Sequence, residues 1–276
     1  LGWAGNIFLG KGVASLNPPV ALAFWRWAVA FLILLPLTWP YVKRDWHAAL
    51  AGWKMICLLA FFGVTTFNTL LYLSVHTTTA INVALIQTTM PAVIIIISLI
   101  VYSERITWLQ TAGVMLCMTG AGVVVLKGSW RALMDMALVQ GDLVMLLAVV
   151  LYALYSALLP KRPGIHPFSF LTYTFGVGCL GLLPVYIWEL VSFGSFEVTP
   201  KTLGSIAYVS VFPSIAAYFC WNRGVAVIGA NRTGLFINLI PMFTAILAIL
   251  FLDESLKIYH LVGMGLILVG FTLFNR

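Results

Sequence analysis

Charge is scarce in this chain. Asp, Glu, Lys and Arg make up 8% of its 276 residues, where soluble domains carry about 25%. The hydrophobic share is 62%, so too little polar surface is left to cover a soluble globule. That excludes a soluble enzyme and a disordered scaffold. Cysteine is sparse as well. Cys57, Cys117, Cys179 and Cys220 each sit in an apolar run, with no CxxC or Cys/His spacing. They read as small packing residues, and neither a disulfide framework nor a metal site is expected. No basic run suits nucleic acid, and no cleavable signal sequence is visible. HExxH, P-loop, nucleophile elbow and paired intramembrane acids are all missing. The expectation is therefore a non-enzyme without cofactor or metal. Strict alternation of apolar and polar residues is also missing, which argues against an outer-membrane barrel.

What remains is a polytopic helical membrane protein. A spanning helix needs about 20 apolar residues, and ten such runs are read here: 1–16, 19–39, 50–75, 79–102, 106–126, 141–160, 167–190, 202–226, 229–252 and 256–275. One longer connector, 127–140, divides the chain into halves of 1–126 and 141–276.

The halves repeat. A constant shift of 150 pairs Pro91 with Pro241, Ile96 with Ile246, Glu104 with Glu254, Gly113 with Gly263, Leu116 with Leu266 and Gly120 with Gly270. Gly63 falls opposite Pro213 at the same shift, which suggests a matched bend. Pro36 pairs with Pro184 at a shift of 148. Five spans per repeat is an odd number, so the second copy enters the membrane from the other side, as in many transporters. Span six opens near Gly141, so its counterpart is expected to open about ten residues before Leu1, by the same repeat logic. With ten spans both termini share a side. That side receives nine of the 15 Lys and Arg, the other side five, and Arg26 lies within a span. The excess places both termini in the cytoplasm.

Polar side chains within spans face protein or water. Thr65, Asn68, Thr69, Tyr72 and His76 form a stripe at helical spacing in span three. Span eight carries Ser210, Ser214, Tyr218, Trp221 and Asn222; span six carries Tyr152, Tyr155 and Ser156; span nine carries Asn231, Gly234 and Asn238. These stripes read either as the lining of an aqueous cavity or as interhelical bonds of about 1 kcal/mol each. The cavity candidates are Asn6, Tyr72, His76, Asn82, Tyr152, Trp221 and Asn238. Pro91 and Pro241 lie mid-span in equivalent helices and are candidate hinges or static kinks. Gly113 and Gly120, and likewise Gly263 and Gly270, are seven apart and favour close helix packing. Arg26 sits deep in span two with no intramembrane acid to pair with. It could bind a substrate carboxylate or anchor backbone carbonyls. All eight acids fall at span ends or in loops, which favours neutral or zwitterionic solutes over cations.

Trp3-Ala4-Gly5-Asn6, Pro18-Pro19 and Phe24-Trp25-Arg26-Trp27-Ala28 resemble the opening of EamA-type members of the drug/metabolite transporter superfamily. Tyr72 through Ala80, Pro91, Glu104, Gly113 and Gly120 resemble the end of one EamA repeat. Trp221, Gly229-Ala230, Pro241, Glu254, Gly263 and Gly270 resemble the end of the second. Within the family the chain is most similar to the YddG-type amino-acid exporters. The resemblance implies ten helices in two inverted repeats, cytoplasmic termini in a bacterial inner membrane, and a cavity lined by spans one, three, four, six, eight and nine. It implies export of amino acids, aromatic ones included, and related metabolites by alternating access, facilitative or weakly coupled. The expected partners are a small-molecule substrate and the lipid bilayer, with no nucleic acid, and the expected assembly is a monomer. Two other readings stay open: a broad drug or toxic-cation exporter driven by proton exchange, and a non-transporting membrane scaffold. The small multidrug members of the superfamily bind cations with a glutamate in their first span; the visible part of that span here has no acid.

Overall fold

The computed structural model describes residues 3, 18–104, 106–134, 139–194, 198–251 and 256–275, so Asn6 lies outside the described residues. Among these residues every regular element is helical. The order is α1 Pro19–Ala51, α2 Trp53–Ala60, α3 Phe67–Thr77, α4 Ala80–Thr88, α5 Met90–Tyr102, α6 Trp108–Val125, α7 Trp130–Met134, α8 Gln140–Leu158, α9 Pro167–Phe193, α10 Pro200–Ser210, α11 Ala217–Ile228, α12 Ala230–Gly234, α13 Leu239–Phe251 and α14 Ile258–Phe274. Wide π turns join α2 to α3 over Phe61–Thr66 and α10 to α11 over Val211–Ala216. A tight 3₁₀ segment, Leu235–Asn238, links α12 to α13.

Among the described residues, seven helical stretches are long and apolar enough to cross a bilayer: Pro19–Ala51, Trp53–Thr77, Ile81–Tyr102, Trp108–Val125, Gln140–Lys161, Pro167–Phe193 and Thr202–Ile228. The three other expected spans differ in kind. The first, apart from Trp3, lies outside the described residues. The ninth is broken into α12, the 3₁₀ segment and α13. The tenth, Ile258–Phe274, is apolar but has 17 residues.

Local sequence explains where the helices start. Pro19, Pro167 and Pro200 open α1, α9 and α10, where a missing N–H costs nothing. Thr79, Thr107 and Thr199 cap α4, α6 and α10 with their hydroxyls, and Gln110 completes a capping box with Thr107. At Ser103 and Gly194 the chain leaves its helix with positive φ.

Two antiparallel pairs form the frame. In the first, α6 crosses α14 with Gly113 against Gly270 and Gly120 against Gly263. A Cβ built on Gly113 would stand 2.6 Å from the Gly270 carbonyl oxygen, and one on Gly120 2.6 Å from that of Gly263. Only glycine lets the two backbones come this near. The contacts swap under the shift of 150, and midway Cys117 Sγ meets the carbonyl of its own counterpart, Ile267, at 3.4 Å.

In the second pair, α1 lies along α9. Phe24 stacks on Tyr186 with ring centroids 4.5 Å apart, and Thr38 shares a 2.8 Å hydrogen bond with Thr172. These two contacts swap under the shift of 148. At each end a carboxylate from one helix caps the start of the other. Glu189 accepts from the backbone N–H groups of Val20 and Ala21 at 3.0 and 2.6 Å. Asp45 accepts from the His166 N–H at 2.8 Å and the Ser169 hydroxyl at 2.7 Å. Negative charge at a helix N-terminus is favourable, and the orphan N–H groups are satisfied at the same time.

Candidate functional site

Helix breaks position the centre of the molecule. Both π turns fall at equivalent places, so the bend expected from Gly63 and Pro213 is present in both halves. A π turn loosens the i→i−4 ladder and frees backbone groups. Side chains take up some of them: the Thr66 hydroxyl donates to the carbonyl of Phe61, and that of Ser214 to the carbonyl of Val209. The other freed carbonyls become interhelical acceptors. Gly63 O receives the Tyr218 hydroxyl, and Pro213 O receives both Arg26 Nη2 and Trp3 Nε1, each at 3.0 Å. Gly63 also admits the Tyr155 ring, whose Cδ2 would stand 2.6 Å from an added Cβ.

Arg26 is 1% exposed. Its Nε donates to the Ser214 hydroxyl at 2.6 Å, and Nη1 donates to Asn68 Oδ1 at 2.8 Å and to the Tyr72 hydroxyl at 3.0 Å. Its Cζ lies 4.9 Å from the centroid of Trp27. Among the described residues no carboxylate pairs with it. Taking a guanidinium out of water costs several kcal/mol. Here charge-assisted bonds of about 1.5–3 kcal/mol each offset that cost through neutral acceptors from the other half of the chain and from α3.

Beside the guanidinium stands a box of aromatic rings. Trp3 packs on Tyr152, Tyr218 and Trp221 at centroid distances of 6.1, 6.3 and 5.4 Å. Tyr152 also meets Phe67 at 4.4 Å and Tyr155 at 5.4 Å, and Trp27 meets Tyr218 at 5.1 Å. Trp221 Nε1 donates to the Ser156 hydroxyl, and the Tyr155 hydroxyl to Asn222 Oδ1. Asn68 ties the box to the guanidinium, because its Nδ2 reaches the Tyr218 hydroxyl while its Oδ1 holds Arg26. Tyr152, Tyr155, Tyr218 and Trp221 are all buried. Asn222 Nδ2 is buried with no hydrogen-bond partner.

Of the sequence candidates, Tyr72 is thus brought to Arg26, and Tyr152 and Trp221 to the aromatic box beside it. Asn238 lies elsewhere, at the break before Pro241. It is fully buried and neither of its amide atoms has a partner. Its segment packs against α4 and α5, which are themselves separated by a break at Thr89. Pro91 is therefore the second residue of α5 and Pro241 the third of α13, rather than kinks within continuous helices. Proline is at home in a first turn, where no N–H is needed. Asn82 is held away from the aromatic box by Asp142, whose two oxygens its Nδ2 meets at 3.1 Å. His76 is exposed in the last turn of α3. Gly113, Gly120, Gly263 and Gly270 stand at the helix crossing described above. Among the described residues no cluster of His, Cys, Asp and Glu could hold a metal ion.

Some features were not foreseen. Asp142 and Glu189 sit at span ends, as expected, yet both are buried. Asp142 accepts from Thr78 Oγ1, Asn82 Nδ2 and the Val139 N–H, which fastens the start of α8 to the end of α3 and the start of α4. Trp27 was not singled out for the box, since it lies beside Arg26 in an otherwise apolar run. The acceptors offered by Gly63 and Pro213 are backbone atoms, which sequence marks only through the glycine and proline that disturb the helix.

The EamA-like transporter family model matches residues 1–126 and 139–276. The chain is 27% identical to the "Uncharacterized transporter YyaM" of Bacillus subtilis, over 95% of this chain and 86% of that one. It is 29% identical to an "Uncharacterized transporter" of Archaeoglobus fulgidus, over 97% and 91%. It is 25% identical to the "Probable terminal-alkyne amino-acid exporter" of Streptantibioticus cattleyicolor, over 95% and 89%. A solved crystal structure shares the fold with a TM-score of 0.77 at 14% identity, covering 99% of this chain and 92% of that one. With a match over both halves, the chain belongs to the EamA-like transporter family.

Proposed function

We propose that this protein exports amino acids, aromatic ones included, and related metabolites across a bacterial cytoplasmic membrane. Transport proceeds by alternating access at the aromatic box beside Arg26. The observation that carries this reading is the box itself: Trp3, Tyr152, Tyr155, Tyr218 and Trp221 meet beside a buried guanidinium and an unpartnered Asn222 Nδ2. Aromatic faces suit a flat side chain, while the guanidinium and amide suit the polar end of an amino acid. The likeness to a relative described as an amino-acid exporter supports the same direction.

The architecture behind this reading is ten spans in two inverted repeats, 1–126 and 141–276, joined by the connector 127–140. The swapped glycine contacts support it. Equivalent helices that cross antiparallel are related by an axis perpendicular to them, and hence in the membrane plane. Both termini are cytoplasmic, by the distribution of Lys and Arg. The paired breaks before Pro91 and Pro241 serve as bending points, and Asn238 lines the path beside one of them.

Purified protein in liposomes tests the function. Labelled amino acids and a quaternary amine are offered with and without a pH gradient. Amino-acid flux down its own gradient, unchanged by pH, is the expected result. Flux of the amine alone, driven by pH, would overturn the reading in favour of drug-cation exchange. No flux of any solute would favour a scaffold.

A further inference from the structure

The charge balance around the aromatic box says more about its solutes than the box alone. Four acids fall within the described residues, and each is committed elsewhere. Asp45 and Glu189 cap opposite helices, Asp142 holds Thr78 and Asn82, and Glu104 accepts from Asn231 at an exposed site. None of them faces the box. Among the described residues the fixed charges that act on the box are Arg26 and, on Tyr155, Arg162, so the site is positive.

Arg26 is also arranged as a receptor. A guanidinium has five N–H donors in a rigid fork that matches a carboxylate. Four donors are used here, and all four acceptors are neutral: Ser214, Asn68, Tyr72 and the Pro213 carbonyl. Three of these acceptors are side chains that can rotate away. The fourth, Pro213 O, also takes the indole N–H of Trp3, so the guanidinium and one wall of the box meet at a single atom.

We propose that Arg26 receives the carboxylate of the solute and that the site takes aromatic carboxylates as a class, with or without an amino group, in preference to aromatic amines. The proposal rests on the reading of this box as the transport site. A carboxylate arriving at Arg26 replaces neutral acceptors by a charged, bidentate one, and its ring enters among Trp3, Tyr152 and Trp221. An ammonium group finds ring faces and neutral oxygens such as the Tyr152 hydroxyl, but no carboxylate among the described residues, and the nearby guanidinium opposes it. The amino group of an amino acid is tolerated in this scheme, whereas the carboxylate is required.

Three matched compounds separate these contributions: phenylalanine, 3-phenylpropanoate, which lacks the amino group, and 2-phenylethylamine, which lacks the carboxylate. The test is competition with the exchange of labelled phenylalanine in liposomes at pH 7.5. We expect 3-phenylpropanoate to compete within about threefold of phenylalanine, and the amine to compete at least about tenfold more weakly, the size of one lost charge-assisted bond. Arg26→Lys keeps the charge but loses the fork. It should weaken both carboxylates about tenfold and leave the amine unchanged. Equal competition by the amine and 3-phenylpropanoate in the wild-type protein would overturn the proposal, whatever the fate of the variant. So would an Arg26→Lys protein that exchanges phenylalanine with the original preference. If the wild-type protein exchanges no amino acid, the proposed function fails first. Thermal stabilisation of the purified protein by 3-phenylpropanoate but not by the amine would then still support the carboxylate site, and its absence would refute it.

Discussion

Two regions where the halves of this chain meet are built in opposite ways. At the crossing of α6 and α14, the glycine contacts have swapped partners: Gly113 on Gly270, Gly120 on Gly263, with Cys117 on its own counterpart, Ile267. The materials are glycine, backbone and apolar side chains. Around Arg26 the swap fails. A shift of 148 places Thr174 opposite Arg26, and the Thr174 hydroxyl bonds only within its own helix, to the carbonyls of Phe170 and Leu171. The difference separates frame from chemistry. Where contacts are mirrored, they fix how the halves fit. Where one half carries a cation and the other does not, a polar feature exists that packing alone does not need.

The largest effect should come from breaking the mirrored crossing. Gly120→Leu drives a side chain into the Gly263 carbonyl and the Ile267 amide, and should abolish recovery of monodisperse protein in detergent. Gly120→Ala should still fold but lose about 1–3 kcal/mol, the usual scale of overpacking. A melting temperature equal to wild type would show that the crossing has slack.

Next comes the asymmetric region. Asn68→Leu removes one acceptor from Arg26 and the amide that bonds Tyr218. Leaving a buried cation short of a partner should cost about 1.5–3 kcal/mol, read as a lower melting temperature together with slower phenylalanine flux. Thr174→Val, at the mirrored place, should cost less than about 1 kcal/mol, because its hydroxyl only bonds back to its own helix. Equal losses at the two places would erase the contrast.

Pro91→Ala and Pro241→Ala restore an N–H at the paired breaks. Each should slow flux a few-fold while leaving the melting temperature within a few degrees of wild type. A rate unchanged in both variants would make the breaks static. The smallest effects should come from the reciprocal caps. Glu189→Gln and Asp45→Asn should each cost about 1 kcal/mol, or roughly 2–4 °C in a chain of this size. Glu189→Gln should be the larger, since Glu189 is the buried member and accepts from two backbone donors at once.

Much of the frame was legible in the sequence because it depends on residue types with one physical use. Glycines seven apart in an apolar run have little reason to exist except close packing, and all four are found there. The matched bend at Gly63 and Pro213 was readable for the same reason. The chemistry was less legible. Helical stripes named Asn68, Tyr155, Ser214, Tyr218 and Asn222, but spacing cannot say which stripe meets which. Asn82 and Tyr72 looked alike as intramembrane polar residues. One is bound to Asp142 at a span end and the other to Arg26 deep inside, and that separation depends on the tertiary contacts of α8 and α1. The burial of Asp142 and Glu189 was hidden because each acid lies at a helix end in sequence, while the helix it serves comes from another part of the chain.

The π turns carry a consequence for helical phase. A helix advances about 100° per residue, and each π turn holds one residue more than the regular ladder needs. The wide turn absorbs that residue, so everything after it sits about that angle away from where an unbroken 3.6-residue count would put it. Tyr218, Trp221 and Asn222 follow the turn at Val211–Ala216, and Ser210 precedes it, donating to the Arg26 carbonyl. Deleting one residue from that turn would restore a regular helix and tighten its hydrogen bonds. It would leave the aromatic residues facing Arg26, whereas winding the same residues into a regular helix without the deletion would swing them away by more than a quarter of a circle. The local irregularity is what lets one continuous helix present its first half to the frame and its second half to the aromatic box.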